Sequence, residues 1–230
     1  MRVSSGYRVF RIVAIALLLF IMLMPLAWMV LSSFKTNVQI YDTASVFRFT
    51  PTMENYQKVF QQANFGKFMW NSFFVAALST GISLVLGVPA AYSMSRFVMK
   101  RQAVVVLMAR VIPGVSLLVP WYYLFSNLRM VGGYGVLILS HMFVSLPLIL
   151  YIMMGFFDGM PNELEEAAQV DGLTPIGAMW HITLPMSTPG IATASILSFI
   201  FSWNNFMFAL VLSGADTKTL PVAIFDFIGY

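Results

Sequence analysis

An all-α polytopic membrane protein is the fold class this chain predicts, and three observations predict it. Hydrophobic residues make up 59% of its 230 positions and charged ones only 10%, where a soluble domain carries about 25%. Mean hydropathy is +0.82. Apolar runs long enough to cross a bilayer, about 20 residues each, recur five times, separated mostly by short polar tracts. The net charge of +4 is small and scattered, and no basic run with interleaved aromatics points to nucleic acid. With no cysteine, disulfides, thiol nucleophiles and Cys-ligated metals are excluded.

The N-terminus has the charge order of a signal peptide: Arg2, Arg8 and Arg11 precede an apolar stretch. That stretch is too long and lacks a small-x-small cleavage site, so it reads as an uncleaved first span, roughly 9–34, with Pro25 as a tolerated break. Residues 35–65 are polar enough to leave the membrane and predict a short surface helix. The second span covers roughly 68–94. Its Ser72, Ser79, Ser83 and Gly87 share one helix face, a pattern of small residues that lets helices pack closely in lipid. After a basic loop, the third span (103–125) holds Arg110, Pro113 and Pro120, and the fourth (134–157) holds His141 and Pro147. A polar loop, 158–189, precedes the fifth span (190–212). A polar tail follows from Ser213, and Leu220 begins another apolar stretch.

Positive charges tie between the two sides. Arg2, Arg8, Arg11, Arg96, Lys100 and Arg101 fall on one, and Lys35, Arg48, Lys58, Lys67, Arg129 and Lys218 on the other. The first group sits in short tracts against span ends, where the bias counts most. The N-terminus and the 158–189 loop are therefore expected in the cytoplasm.

That loop contains the most informative stretch, Glu163 to Pro185. It carries Glu163, Glu165, Glu166 and Asp171 and no Lys or Arg. Its grammar predicts two short helices joined by a tight turn. Asn162 is the expected cap of the first, with Glu165 as the return partner of a capping box. Gly172 supplies a positive-φ stop. Thr174-Pro175 restarts a helix with Thr at the N-cap and Pro at the first position. Ala167 and Ala168 predict a bare helix face for close backbone approach.

Glu166-Ala167-Ala168, then Gly172, then Ile182-x-Leu184-Pro185 fill every fixed position of the EAA loop and resemble that of ABC importer permeases. Pro25, Trp28, Ser33-Phe34-Lys35, Asn55-Tyr56, Asn71-Ser72, Ala90-Ala91-Tyr92, Arg96-Phe97, Pro113-Gly114 and Trp203-Asn204-Asn205-Phe206 resemble further landmarks of the carbohydrate-uptake group, across nearly the whole chain. The chain is similar to the shorter permease subunit of maltose-type importers. The resemblance implies a type I ABC importer permease fold with five spans present. It also implies a sixth span after the last residue, so the chain is expected to be truncated there. It implies coupling to an ATPase through Glu163, Glu166, Ala167, Ala168, Asp171, Gly172, Ile182 and Pro185. The implied partners are a second homologous permease, an ATPase subunit dimer carrying ATP and Mg, an external solute-binding protein and the bilayer. Three features depart from the group: no basic residue flanks the EAA helix, Met179 stands where an aromatic is usual, and Arg110 stands where an uncharged residue is usual.

No G-x-x-x-x-G-K-[ST] occurs, so ATP is expected on a separate subunit and no cofactor on this one. His141 and His181 have no carboxylate at ligand spacing, and no Ser-His-acid set is readable, so neither a metal site nor a catalytic residue is expected. For the substrate pathway the candidates are softer. Ser195, Ser198, Ser202 and Asn205 recur at helical spacing, and Trp203, Asn204 and Asn205 offer an aromatic surface and amides suited to a sugar. Interhelical packing explains the serines equally well. Arg110 in a span marks a functional position by default, or snorkels to the near interface. His141 is either a cavity residue or a hydrogen-bonded structural one. The expected function is a permease subunit for a sugar or polyol, with alternating access driven by ATPase closure. The rivals are an ABC permease for another solute and a stand-alone secondary transporter or channel. The latter would need intramembrane carboxylates, and the spans have none.

Overall fold

The computed structural model describes residues 5–62 and 64–228, and these form two units, 1–65 and 66–230. In the first, α1 (Ser5–Ser33) is apolar around its whole circumference and buries nothing in its own chain over its most hydrophobic window. A helix of 29 residues rises about 43 Å, more than the hydrocarbon core needs. Its C-terminal end is closed by the polar segment that follows. Asn55 Nδ2 donates to the carbonyls of Ser33 (3.0 Å) and Lys35 (2.8 Å), satisfying groups the helix end leaves open. The Ser33 and Tyr56 hydroxyls meet at 2.7 Å. Lys35 is buried, donates to the Val46 carbonyl at 2.8 Å, and lies over the Trp28 and Phe49 rings. The expected surface helix is two short ones: α2 (Asn37–Tyr41), with a capping box between Thr36 and Gln39, and α3 (Glu54–Gln57).

The second unit is built on α4 (Phe65–Arg96), α7 (Tyr134–Asp158) and α11 (Thr188–Trp203). The small-residue face predicted for α4 is its buried face: Ser72, Ser79, Ser83 and Gly87 all lie inside. Small side chains let backbones approach closely. A Cβ added to Gly87 would lie 2.9 Å from Ile149 Cγ2, and one added to Gly190 on α11 only 2.6 Å from the Phe156 ring on α7. Two apolar clusters fill the unit, one around Val75, Leu137, Phe208 and Leu212, the other around Val88, Ile149, Met153, Phe157 and Ala194.

At one end, irregular backbone is tied down by side chains from α4. Asn71 donates to the carbonyls of Asp216 and Lys218 and accepts from the Tyr134 hydroxyl, while Ser72 accepts from the Leu220 amide. The α13 helix (Leu220–Ile228) follows.

Two predicted spans are interrupted. The third is not one helix but α5 (Lys100–Met108) and α6 (Gly114–Asn127), separated by a turn over 109–113. Pro113 has no N–H and disfavours helical backbone at the residue before it, and the helix breaks here, although α1, α4, α6 and α7 run through Pro25, Pro89, Pro120 and Pro147. The fifth stops at Trp203 and resumes as α12 (Met207–Leu212). Three described helices are long and apolar enough to cross a membrane: α1, α4 and α7. A fourth span arises if α11 is joined to the segment Pro175–Met186, from which it is bent by 71°.

Candidate functional site: a docked surface helix and a polar cavity

The 158–189 loop folds as α8 (Glu163–Val170), a turn, α9 (Pro175–Ala178), a π-turn (Met179–Thr183) and α10 (Leu184–Met186). Three local expectations hold. Gly172 has φ +99°, a left-handed value that suits glycine. Around it, Leu173 N–H bonds to the Ala168 carbonyl and Gly172 N–H to that of Gln169, a Schellman motif. Thr174 Oγ1 accepts from Gly177 N–H at 3.1 Å, with Pro175 at the first helical position.

The capping box does not form. Asn162 is helical and makes no side-chain cap, and Glu165 points inward, 6% exposed, into a hub the sequence reading missed. Glu165 Oε1 accepts from Arg96 Nε (2.9 Å) and Thr183 Oγ1 (2.7 Å), and Arg96 Nη2 lies 2.8 Å from the same oxygen. Glu165 Oε2 accepts from the Tyr92 hydroxyl at 2.6 Å. Arg96 Nη1 donates to the Phe157 carbonyl at 3.0 Å, so one guanidinium ties the ends of α4 and α7 to α8. Ser95 adds a hydrogen bond to Asp158. Burial alone would push the Glu165 carboxyl up. The hydrogen bonds from Tyr92, Arg96 and Thr183 and the Arg96 charge outweigh it, and the carboxyl is held below its ordinary value. Tyr92 and Arg96 are four apart on one helix face, which was the available signal; that Glu165 would meet them was not readable locally.

The hub splits the predicted coupling residues. Glu163, Glu166, Ala167, Asp171, Gly172 and Pro185 are exposed, Ile182 is half-buried, and Ala168 is buried against the rest of the unit. The expected bare face of two alanines is therefore corrected: Glu165 and Ala168, three apart, share the inward side, and Ala167 alone is presented outward. Val170, 87% exposed, Ile176 and Trp180 of the same loop are exposed as well.

The pathway candidates also separate into two groups. Ser202 and His141 are buried and face one another, His141 Nδ1 to Ser202 Oγ at 2.7 Å, with Ser79 Oγ 3.0 Å from Ser202. Ser198 is buried on the same helix, and Trp203 stacks on Phe199. Ser79, His141 and Ser202 thus link α4, α7 and α11, while Ser198 and Trp203 make no described hydrogen bond to another helix. Arg110, Asn204 and Asn205 instead meet at a cavity of about 490 Å³, which Gly114, Phe143 and Phe208 also line. Asn205 Oδ1 accepts from Phe208 N–H at 3.2 Å and so caps α12 across the break, and Asn204 Nδ2 donates to the Ile200 carbonyl at 2.9 Å. The Arg110 guanidinium lies 5.9 Å from the Phe201 ring centre.

A helical chain with several membrane-length apolar helices, a surface helix held by a buried ion pair and a cavity at two helix breaks has the architecture of a multi-pass membrane protein. Comparison makes the class specific: residues 83–227 match the binding-protein-dependent transport system inner membrane component family, and the chain belongs to that family. The chain is 35% identical over 219 residues to the sulfoquinovosyl glycerol transport system permease protein SmoH of Agrobacterium fabrum, covering 93% of this chain and 77% of that one. It is 33% identical to the trehalose transport system permease protein SugB of Mycobacterium tuberculosis (90% and 77%). To the trehalose/maltose transport system permease protein MalG of Thermococcus litoralis it is 31% identical (100% and 84%). In fold it is similar to a chain of a bacterial ABC transporter that imports the acidic polysaccharide alginate, with TM-score 0.77, 21% identity and coverage of 98% and 81%. The chain is thus a permease subunit of an ABC importer, a transport component and not an enzyme, working with an ATPase and a binding protein.

Proposed function

We propose that this subunit imports a sugar or polyol and that the outward face of α8 couples its helix bundle to an ATPase subunit. A second homologous permease completes the pathway, ATP and Mg sit on the ATPase dimer, and the N-terminus and the 158–189 loop are cytoplasmic. ATPase closure pulls α8 and turns the pore toward the binding protein. The single observation carrying the coupling role is the Glu165–Arg96 hub: pulling on α8 pulls on the ends of α4 and α7 through a buried charged pair. Glu163, Glu166, Asp171, Gly172, Ile182 and Pro185 frame the docking face, with Ala167 rather than Ala168 at its centre. The sugar reading is supported by relatives named for trehalose, maltose and sulfoquinovosyl glycerol.

Because the chain has no cysteine, Ala167→Cys adds a single thiol to a silent background. A disulfide needs Cα atoms roughly 4.4–6.8 Å apart. Ala167→Cys is expected to cross-link to a cysteine in the ATPase cleft with a yield that changes on ATP binding. Leu128→Cys, exposed and assigned to the opposite membrane face, is expected to give no product. A product from Leu128 and none from Ala167 inverts the topology; none from either removes the coupling role.

A further inference from the structure

The Arg110 cavity carries a charge that the protein leaves uncompensated. No Asp or Glu occurs from Phe97 to Phe157 or from Gly172 to Ala215, so none of α5, α6, α11 and α12 and only the last residue of α7, Asp158, is acidic. No carboxylate lines the cavity, and among the described residues Arg110 is in no ion pair. Its described partner is the face of Phe201, a contact worth about 0.5–1 kcal/mol where exposed, which leaves the cation without a counter-charge. Arg110 is exposed at the turn after α5. The α5 helix begins at Lys100-Arg101, and its nine residues rise about 14 Å along the axis, which sets Arg110 well apart from that basic pair.

The lining is mostly apolar, and its few polar groups are those that bind an oxyanion. Asn204 and Asn205 supply amides on the facing break. Gly114 and Val115 open α6, whose first turn has no side-chain cap. A guanidinium with planar donors suits carboxylate and sulfonate alike.

We infer that this cavity receives the acidic group of an anionic sugar, a carboxylate or sulfonate, on Arg110, with Asn204 beside it. The inference rests on the importer reading and narrows its substrate class. Its test uses the assembled importer with its own binding protein in proteoliposomes. The binding protein is screened by thermal shift against glucose, maltose and trehalose on one side and glucuronate, galacturonate and sulfoquinovose on the other, and the ligands found are used as uptake probes.

The expected result is an acidic ligand whose uptake falls on the order of ten- to a hundredfold in Arg110→Gln, the loss of one charge-assisted hydrogen-bonding group, and recovers in part in Arg110→Lys. Co-purification with the ATPase checks assembly of each variant. Should Arg110→Gln fail to assemble, Arg110→Lys and Asn204→Ala carry the test, each expected to lower uptake of the acidic ligand. Neutral ligands only, imported by Arg110→Gln at the wild-type rate, overturn the inference and leave the importer reading standing. A loss that follows the anionic-lipid content of the vesicles instead of the sugar's charge assigns Arg110 to lipid phosphate and also overturns it. Uptake that needs no ATP overturns the importer reading itself.

Discussion

Glu165→Ala is the most informative single substitution. It removes the carboxylate that accepts from Tyr92, Arg96 and Thr183, and it leaves the Arg96 side chain, 13% exposed, without its counter-charge. Breaking a buried pair from one side costs about 3–5 kcal/mol, because the remaining charge stays desolvated. Removing both ends costs less, since no orphan charge is left behind. Glu165→Ala with Arg96→Ala is therefore expected to be less destabilised than the sum of the two single variants, by about 1–3 kcal/mol of coupling. The assay is thermal unfolding of the detergent-purified complex, read beside protease cleavage within 158–189. Glu165→Ala is expected to melt lowest of the three and to expose the loop to cleavage. Strict additivity of the two single variants would refute the argument that α8 is held by this pair.

Three further outcomes follow from the geometry. The depressed carboxyl of Glu165 means its contribution is complete above the ordinary Glu value of about 4.5 and is lost as pH falls through the lower folded value. The melting difference between wild type and Glu165→Gln should thus hold from neutral pH to about 5 and shrink below it, and a difference independent of pH would contradict the assignment. Gly190→Ala should destabilise by about 1–3 kcal/mol, because its Cβ would meet the Phe156 ring at 2.6 Å, whereas Gly81→Ala, with open space around it, should be neutral or slightly stabilising in the same thermal assay. Gly172→Val should cost about 1–2 kcal/mol through its φ of +99° alone, since no neighbour crowds the site; Gly172→Asn should retain more sugar-stimulated ATPase activity than Gly172→Val.

What the sequence made legible was what short range determines. The buried face of α4 could be read because Ser72, Ser79, Ser83 and Gly87 repeat at helical spacing, and the turn at Gly172–Pro175 because its chemistry lies within four residues. Glu165 was misassigned for the converse reason. Its nearest plausible partner in sequence was Asn162, but its partners in space are 18, 69 and 73 positions away. The serine stripe of α11 was read correctly as one face. The break after Trp203 then separated its end from its middle: Ser198 and Ser202 pack inward while Asn205 caps the next helix at the cavity. Hydropathy runs the third span through Pro113 as one helix, because the proline leaves the apolar run unbroken. Only with the helix broken there does Arg110 have a cavity to occupy.

The two breaks share a consequence beyond charge. A helix satisfies its own backbone through bonds four residues back, and at the two breaks tighter bonds take over: the amides of Ala109, Arg110, Val111 and Asn205 reach the carbonyls of Val106, Leu107, Met108 and Ser202, three residues back. Where irregular backbone meets hydrocarbon, any group left over needs protein or water beside it. Both breaks open on the same cavity. The segments on either side, α5 and α6, α11 and α12, are then short rods joined at non-α-helical points. Small rotations of one rod against the next cost little backbone energy there, and the long unbroken α4 and α7 supply the stiff frame against which such rotations register.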